Sequence, residues 1–187
     1  KLVKKFKNTK PSKPIILMGY YQMIFNYGEK KFIQKCKVSG VDGLIVVDLS
    51  FPDNKNFAKL CKKNSICFVQ LIAPTTTLKR MKEIIRNSHE MIYMISTIST
   101  TGSAFKYSIK RIIKNYNVIK KIKPSKNVVI GFGITEKTIS SLRSADGLVV
   151  GSAICREITR SLKDRQNPVT NVSKLVRKLK NKIIWIG

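Results

Sequence analysis

The sequence is poor in the residue types that most enzymes use for acid–base chemistry. It contains 10 acidic residues against 37 lysines and arginines, and its only histidine is His89. No Ser/His/Asp triad can be assembled from it, and it lacks the paired carboxylates of an acid–base enzyme. His89 precedes an apolar run and is expected at the surface. The sequence therefore predicts a binding site without a complete catalytic one.

The cysteines and the apolar runs also exclude several classes of protein. The four cysteines are Cys36, Cys61, Cys67 and Cys155, with no CxxC spacing and no neighbouring histidine pair. We therefore predict no metal site and expect reduced thiols that pack as small apolar side chains. No apolar run approaches the roughly 18 residues of a membrane span, so no membrane association is predicted. The length and the 43% apolar content predict one domain over residues 1–187.

The formal net charge of +27 would attract nucleic acids. However, the lysines are scattered over nearly every segment, and aromatic residues do not interleave with them as stacking platforms would. We therefore predict no nucleic-acid partner, and keep a basic nucleic-acid-binding module as the weaker alternative. The abundance of lysine, isoleucine and asparagine is typical of A/T-rich codon usage. This bias favours a plastid or chloroplast location, with the cytoplasm as the other expectation.

The first residues read as the end of a helix. In KLVKKFKN, the residues Leu2, Val3 and Phe6 follow helical spacing, but no N-cap residue precedes them. We expect the chain to be the C-terminal three-quarters of a longer protein, whose upstream part could include a targeting peptide.

Six short apolar runs recur along the chain without polar alternation. They are PIILMGY (14–20), GLIVVDL (43–49), ICFVQLIA (66–73), MIYMIS (91–96), NVVIGFG (127–133) and GLVVGSA (147–153). Such runs are typical of strands that are buried on both faces. Amphipathic stretches between and after them predict helices over 28–40, 77–88, 108–123 and 171–180.

This alternation predicts an α/β fold with a parallel sheet built from right-handed βαβ units. Two architectures satisfy it: an open doubly wound sheet, or a (β/α)₈ TIM barrel of which about six of the eight units are present. A full barrel needs about 250 residues. A barrel that lacks roughly two upstream units accounts for both the length and the abrupt start.

In both architectures ligands bind at the carboxyl ends of the strands. In ADGLVVGSAI, Gly151 and Ser152 join the last run to a predicted helix, where backbone N–H groups and the helix dipole favour a phosphate. The other interpretation is a tight turn at Gly151 and a helix cap at Ser152. Among the carboxylates, Asp48 directly ends a run, and Glu136 is the one other near a strand end.

Several motifs together resemble the tryptophan synthase α chain family. PIILMGYYQMIFNYG, GVDGLIVVDL, APTTT, YMISTISTTGS, GFGI and ADGLVVGSAI occur in the family's order and spacing over essentially all of residues 1–187. The GSA motif alone would also fit other phosphate-binding TIM-barrel isomerases of amino-acid biosynthesis, which remain the first alternative. The runs LMGYYQMIFNYG and TTG favour the α chain family.

The resemblance implies retro-aldol cleavage of indole-3-glycerol phosphate to indole and glyceraldehyde 3-phosphate, in tryptophan biosynthesis. It implies no cofactor in this chain, and a β chain partner in an α2β2 tetramer that carries pyridoxal phosphate. The family's catalytic glutamate and aspartate are expected upstream of Lys1, so no catalytic residue is assigned here.

The resemblance also implies roles for individual residues. The phosphate cradle would consist of Gly102, Gly133, Gly151 and Ser152. The indole pocket would be lined by Met18, Tyr20, Ile45 and Phe132, although Tyr20 could instead be ordinary core. Tyr93 and Thr101 would support catalysis, with 97–107 as a mobile lid. Gln22, Asp48 and Ser50 would face the β chain.

Two positions depart from the family pattern. Ser50 replaces a usual proline and Ser99 a usual glycine. The first puts coupling to the β chain in doubt, and the second is expected to stiffen the lid.

Overall fold

Helices and short parallel strands alternate along the chain, as the apolar periodicity predicts. The computed structural model describes residues 1–96, 109–131, 134, 136 and 138–183. Within these, the helices are α1 (Leu2–Thr9), α2 (Tyr21–Tyr27), α3 (Glu29–Ser39), α4 (Lys55–Lys63), α5 (Leu78–Asn87), α6 (Ile109–Ile122), α7 (Ser152–Lys163) and α8 (Pro168–Asn181). The strands are β1 (Ile16–Gly19), β2 (Gly43–Val46), β3 (Cys67–Phe68), β4 (Gln70–Ile72), β5 (Met91–Ile95), β6 (Asn127–Gly131) and β7 (Gly147–Val149).

The chain divides into two compact units. The first comprises Lys1–Ile72 and Thr77–Ile92, and the second comprises Ala73–Thr76 and Tyr93–Gly187. The division passes through β5, so the single domain expected over residues 1–187 stays a prediction. Among the described residues, no helix is long and apolar enough to cross a bilayer.

The first unit is built on a parallel sheet with the order β1-β2-β3. One face of β2 carries Leu44 and Val46, which pack into an apolar core with side chains of α3 and α4. In that core the rings of Phe57 and Phe68 meet edge to face, with centroids 5.8 Å apart. This arrangement buries the apolar stripe of each helix against the sheet, as a βαβ unit requires.

The second unit contains the remainder of β5, followed in sheet order by β6 and β7. The pair β6–β7 is parallel, with Val129 opposite Gly147 and Gly131 opposite Val149. Helix α7 packs against α8. Asn167 caps α8 by accepting hydrogen bonds from the N–H groups of Val169 and Thr170, at 2.9 and 3.2 Å.

Several element boundaries differ from the predicted ones. The run 66–73 forms two short strands that are interrupted at Val69. Helix α8 begins at Pro168, ahead of the predicted 171, because proline is well suited to the first helical turn. Helices α2 and α4 were not predicted, since both are short; α4 buries only Phe57, Ala58 and Cys61.

Candidate functional site

The start of α7 exposes backbone N–H groups where the sequence predicts a phosphate. Ser152 is the first residue of this 12-residue helix and Gly151 precedes it; both are exposed. The carbonyl oxygen of Gly151 accepts from the N–H groups of Ile154 and Cys155, at 2.9 and 3.2 Å. The N–H groups of Gly151 and Ser152 have no hydrogen-bond partner among the described residues.

Two further features leave this helix start open to an anion. The first turn of α7 carries no acidic residue, so the dipole is not already neutralised there. A Cβ added at Gly151 would meet nothing within 4 Å. The N-cap residue of α7 is Gly151, and Ser152 already lies inside the helix, so the interpretation of Ser152 as the helix cap is wrong. The arrangement can bind an oxyanion through main-chain amides.

Tyr93 and Gly131 pack against each other in the second unit. Tyr93 is 4% exposed, and a Cβ at Gly131 would overlap its phenol oxygen and Cζ. Burial raises the pKa of the Tyr93 phenol, which therefore stays protonated and able to donate a hydrogen bond.

Ser96, which the sequence interpretation did not single out, joins the ends of β5 and β6. Its hydroxyl and its N–H both donate to the carbonyl oxygen of Gly131, at 2.7 and 3.0 Å. Ser96 is 3% exposed. A serine at the end of an apolar run was the only available signal, and it does not reveal the partner.

Two of the residues predicted to line the indole pocket, Met18 and Ile45, share one face of the sheet in the first unit. Met18 of β1 pairs with Ile45 of β2 in the parallel register, so their side chains lie side by side. Neither belongs to the core that contains Leu44 and Val46, which places both on the other face. Tyr20 is 62% exposed, so the alternative that it is ordinary core is wrong.

The three residues expected at the partner interface are all exposed. Gln22 bonds to Asn26 within α2, with Nε2 3.0 Å from Oδ1. The carboxylate of Asp48 accepts from the N–H of Tyr21 at 2.6 Å, and so stabilises the start of α2. Ser50 Oγ lies 3.4 Å from Nη2 of Arg80.

Glu136 has a structural role in the second unit. Its carboxylate forms ion pairs with Lys178 at 2.7 Å and Lys182 at 3.6 Å. The hydrogen bond from Lys178, together with both positive charges, outweighs desolvation and lowers the pKa of Glu136. These contacts join residue 136 to the end of α8.

Cys67, His89 and Glu90 form a cluster that the sequence interpretation missed, since Cys67 lies on β3 whereas His89 and Glu90 lie just before β5. Their potential ligand atoms all lie within 4.8 Å of one another. However, His89 is half-buried, and its Nδ1 accepts from the N–H of Phe68 at 2.9 Å. Burial, then the charge of Glu90 and its hydrogen bond from the thiol, raise the pKa of Cys67. The cluster is a hydrogen-bonded one in which the thiol keeps its proton.

The other predicted site residues lie outside the described part of the chain. They are Thr101, Gly102, Phe132 and Gly133, together with Ser99 and the expected lid over 97–107.

Comparisons with known proteins agree on one family. A sequence profile described as "Tryptophan synthase alpha chain" matches residues 1–184. The tryptophan synthase alpha chain of Pelagibacter ubique (strain HTCC1062) is 64% identical over 182 residues, which cover 97% of this chain and 69% of that protein. The alpha chain of Methanocaldococcus jannaschii is 34% identical over 165 residues, covering 86% of this chain and 57% of the relative.

Solved structures give the same result. Tryptophan synthase subunit alpha from Legionella pneumophila str. Paris superposes with a TM-score of 0.84 at 26% identity, covering 97% of this chain and 67% of that one. A chain of the tryptophan synthase complex from Pyrococcus furiosus superposes with a TM-score of 0.78 at 30% identity, covering 96% of this chain and 71% of that one.

These comparisons decide several of the expectations. The α/β fold class, as part of a (β/α)₈ barrel, is confirmed, and the other functional classes are not favoured. This chain spans 57 to 69% of the length of the curated relatives it matches. The plastid location is not supported, because the Pelagibacter relative is bacterial. A/T-rich codon usage is not specific to organelles, so it was a poor guide to location.

Proposed function

Because this chain belongs to the tryptophan synthase alpha chain family, we propose that the full-length protein is the lyase that cleaves indole-3-glycerol phosphate to indole and glyceraldehyde 3-phosphate. The observation that carries this proposal is the start of α7. There, Gly151 and Ser152 present N–H groups without a partner among the described residues, in a helix whose first turn has no carboxylate. The substrate's phosphate is a dianion of the kind that such a helix start binds.

The cleavage needs an acid and a base. The bond between the indole ring carbon and the glycerol phosphate chain breaks, and its electron pair stays on the ring carbon, which takes up a proton. The adjacent hydroxyl loses its proton and becomes the aldehyde. We assign both proton transfers to carboxylates upstream of Lys1, because Asp48 and Glu136 already serve α2 and α8.

We assign this chain's own residues to binding. Gly151 and Ser152, with Gly102 and Gly133, hold the phosphate, and Met18, Tyr20, Ile45 and Phe132 hold the indole ring. Tyr93 and Thr101 are positioning residues. The pairing of Met18 with Ile45, on the sheet face away from the core of the first unit, supports the indole assignment.

We further propose that the protein pairs with a tryptophan synthase β chain in an α2β2 tetramer, with pyridoxal phosphate in the β chain only. The similarity to a chain of the Pyrococcus furiosus tryptophan synthase complex supports such pairing. The exposed positions of Gln22, Asp48 and Ser50 are compatible with contact to a partner. We propose that this assembly acts in the cytoplasm.

The test is a titration of the full-length protein with indolepropanol phosphate, a substrate analogue. Ser152→Asp places a carboxylate at the proposed phosphate, and charge repulsion should weaken binding by about 100-fold or more. Thr170→Asp adds the same charge to the exposed first turn of α8 and should change the affinity less than about twofold, because exposed distant charges are screened. Unchanged binding by Ser152→Asp would refute the phosphate assignment.

A further inference from the structure

A cleft in the first unit combines positive charge with a polar floor. Its volume is about 410 Å³, and residues of α4, of α5 and of the segments beside them line it. The cations on its rim are Lys55, Lys59 and Lys62 of α4 and Arg86 of α5. Among the described residues, no aspartate or glutamate lines the cleft, so no carboxylate in that part of the chain neutralises this charge from within it.

The three lysines lie on one face of α4, since positions i, i+4 and i+7 coincide on a helix. All three, and Arg86, are exposed. None of the four forms an ion pair within the part of the chain that the structure describes. Like charges at this spacing repel one another, and a concave surface concentrates their field. A bound anion would offset that repulsion.

Two buried amides form the polar floor of the cleft. Asn54 and Gln70 are 1% and 3% exposed, and both line the cleft. Asn54 Nδ2 donates to the carbonyl oxygen of Leu49 at 3.2 Å and to Gln70 Oε1 at 2.8 Å. Gln70 Nε2 donates to Asn54 Oδ1 at 3.3 Å. The side-chain nitrogen Nε2 of Gln70 carries two hydrogens and donates only one of them. The other hydrogen has no acceptor among the described residues, although a buried N–H normally has one.

The spacing of the cations favours an extended anion over a single phosphate. At 1.5 Å per residue, Lys55 and Lys62 are separated by about 10 Å along α4. One phosphate group cannot contact cations across that distance, whereas a chain of two or three linked phosphates can. The Gln70 amide can donate to one of its oxygens.

We propose that this cleft binds a linear oligophosphate, either inorganic or as the phosphate chain of a nucleotide. The site shares no residue with Gly151 and Ser152, and it does not depend on the proposed function. Sequence inspection could not find it, because scattered lysines conceal which of them share a concave surface.

A pair of matched variants tests the proposal by calorimetric titration with tripolyphosphate. The first variant combines Lys55→Gln, Lys59→Gln and Lys62→Gln. The second combines Lys110→Gln, Lys114→Gln and Lys121→Gln, which line an open groove on α6. Both variants are made in the full-length protein, and each lowers the net charge by the same amount because each loses three lysines.

We expect the unmodified protein to bind one tripolyphosphate at about 150 mM salt. The α4 variant should weaken binding at least 20-fold, and the α6 variant less than twofold. Arg86→Gln should weaken binding at least fivefold, and it replaces the triple variant if that one fails to fold. Equal losses in the two triple variants, several equivalent sites per chain, or no binding at this salt concentration would each overturn the proposal.

Two further titrations identify the source of the phosphate chain and separate this site from the proposed active site. ATP binding as tightly as tripolyphosphate indicates recognition of the phosphates alone, whereas tighter binding of ATP indicates a nucleotide. Saturating indolepropanol phosphate should leave tripolyphosphate binding unchanged. Competition between the two would place the oligophosphate at the substrate site and refute a separate cleft.

Discussion

At the scale of single residues, Gly131 determines where the Tyr93 ring can lie. An added Cβ at Gly131 would overlap the phenol oxygen and Cζ of Tyr93. Because Tyr93 is almost fully buried, close-packed neighbours leave its ring little room to withdraw. The carbonyl oxygen of the same glycine accepts two hydrogen bonds from Ser96, so the backbone of residue 131 cannot easily shift either.

Gly131→Ala should therefore destabilise the protein by about 1–3 kcal/mol, as overpacking of a core does. Urea unfolding measures this change. Gly151→Ala is the control: its added Cβ would meet nothing within 4 Å, and the free energy of unfolding should change by less than about 0.5 kcal/mol. Tyr93→Leu in the Gly131→Ala background should recover part of the loss. Equal stability of the two alanine variants would show that the contact does not constrain Tyr93.

At the scale of elements, the same three-residue sequence, Asp-Gly-Leu, leads into two strands. Asp42-Gly43-Leu44 leads into β2, and Asp146-Gly147-Leu148 leads into β7. Asp42 accepts from the N–H of Ile15, at 2.6 Å, and pairs with Lys7 at 2.7 Å. Asp146 accepts from the N–H of Val128, at 2.8 Å, and pairs with Lys120 at 3.0 Å. Each aspartate thus ties its strand to the start of a neighbouring strand and to a helix.

The contacts of Asp42 with Ile15 and Lys7 make the free energy of unfolding depend on pH. Burial raises the pKa of Asp42, but the hydrogen bonds from Lys7 and Ile15 and the charge of Lys7 outweigh it and lower the pKa. The pKa of an unfolded aspartate is about 3.9. The stabilisation is therefore complete above about pH 4 and is lost as the pH falls through the lower folded value.

Asp42→Asn should lower the free energy of unfolding by about 1 kcal/mol at pH 7, and this difference from the unmodified protein should shrink below about pH 4. Urea unfolding at several pH values between about 3 and 7 measures it. The control Asp53→Asn, at an exposed position, should change the free energy of unfolding at pH 7 by less than about 0.5 kcal/mol. A difference for Asp42→Asn that is the same at pH 3 and pH 7 would contradict this account.

At the scale of the whole molecule, large apolar side chains remain exposed on several elements. In the first unit, Leu2 and Phe6 of α1 are 84% and 43% exposed. In the second, Leu162 of α7 and Val169 of α8 are 62% and 72% exposed. Within their own sheets, β1 and β7 are edge strands, and unpaired edges promote association.

Residues 1–187 expressed alone should therefore associate or precipitate, as expected for part of an eight-stranded barrel. Size-exclusion chromatography with light scattering at several concentrations measures this. Leu162→Lys together with Val169→Lys should reduce the association. A monomer that unfolds in one cooperative transition would refute the expectation.

Local patterns predicted most of the fold. Helices α3 and α5 lie where apolar residues recur at helical spacing, and β2 and β5 lie within continuous apolar runs. Short sequence motifs were sufficient to identify the family, and the comparisons with known proteins confirm it. A helix was predicted directly after the last apolar run, and α7 begins there at Ser152.

The sequence by itself determined which segments are helices and strands, since these depend on residues that are near one another in the chain. Only the tertiary structure decided which distant groups meet. Ser96 bonds to Gly131 and His89 to Phe68, across separations of 35 and 21 residues. The lysines around the Asn54–Gln70 amides likewise share a cleft with Arg86 only in the folded first unit. A local pattern contains no information about such contacts, because they depend on how the chain closes between the elements.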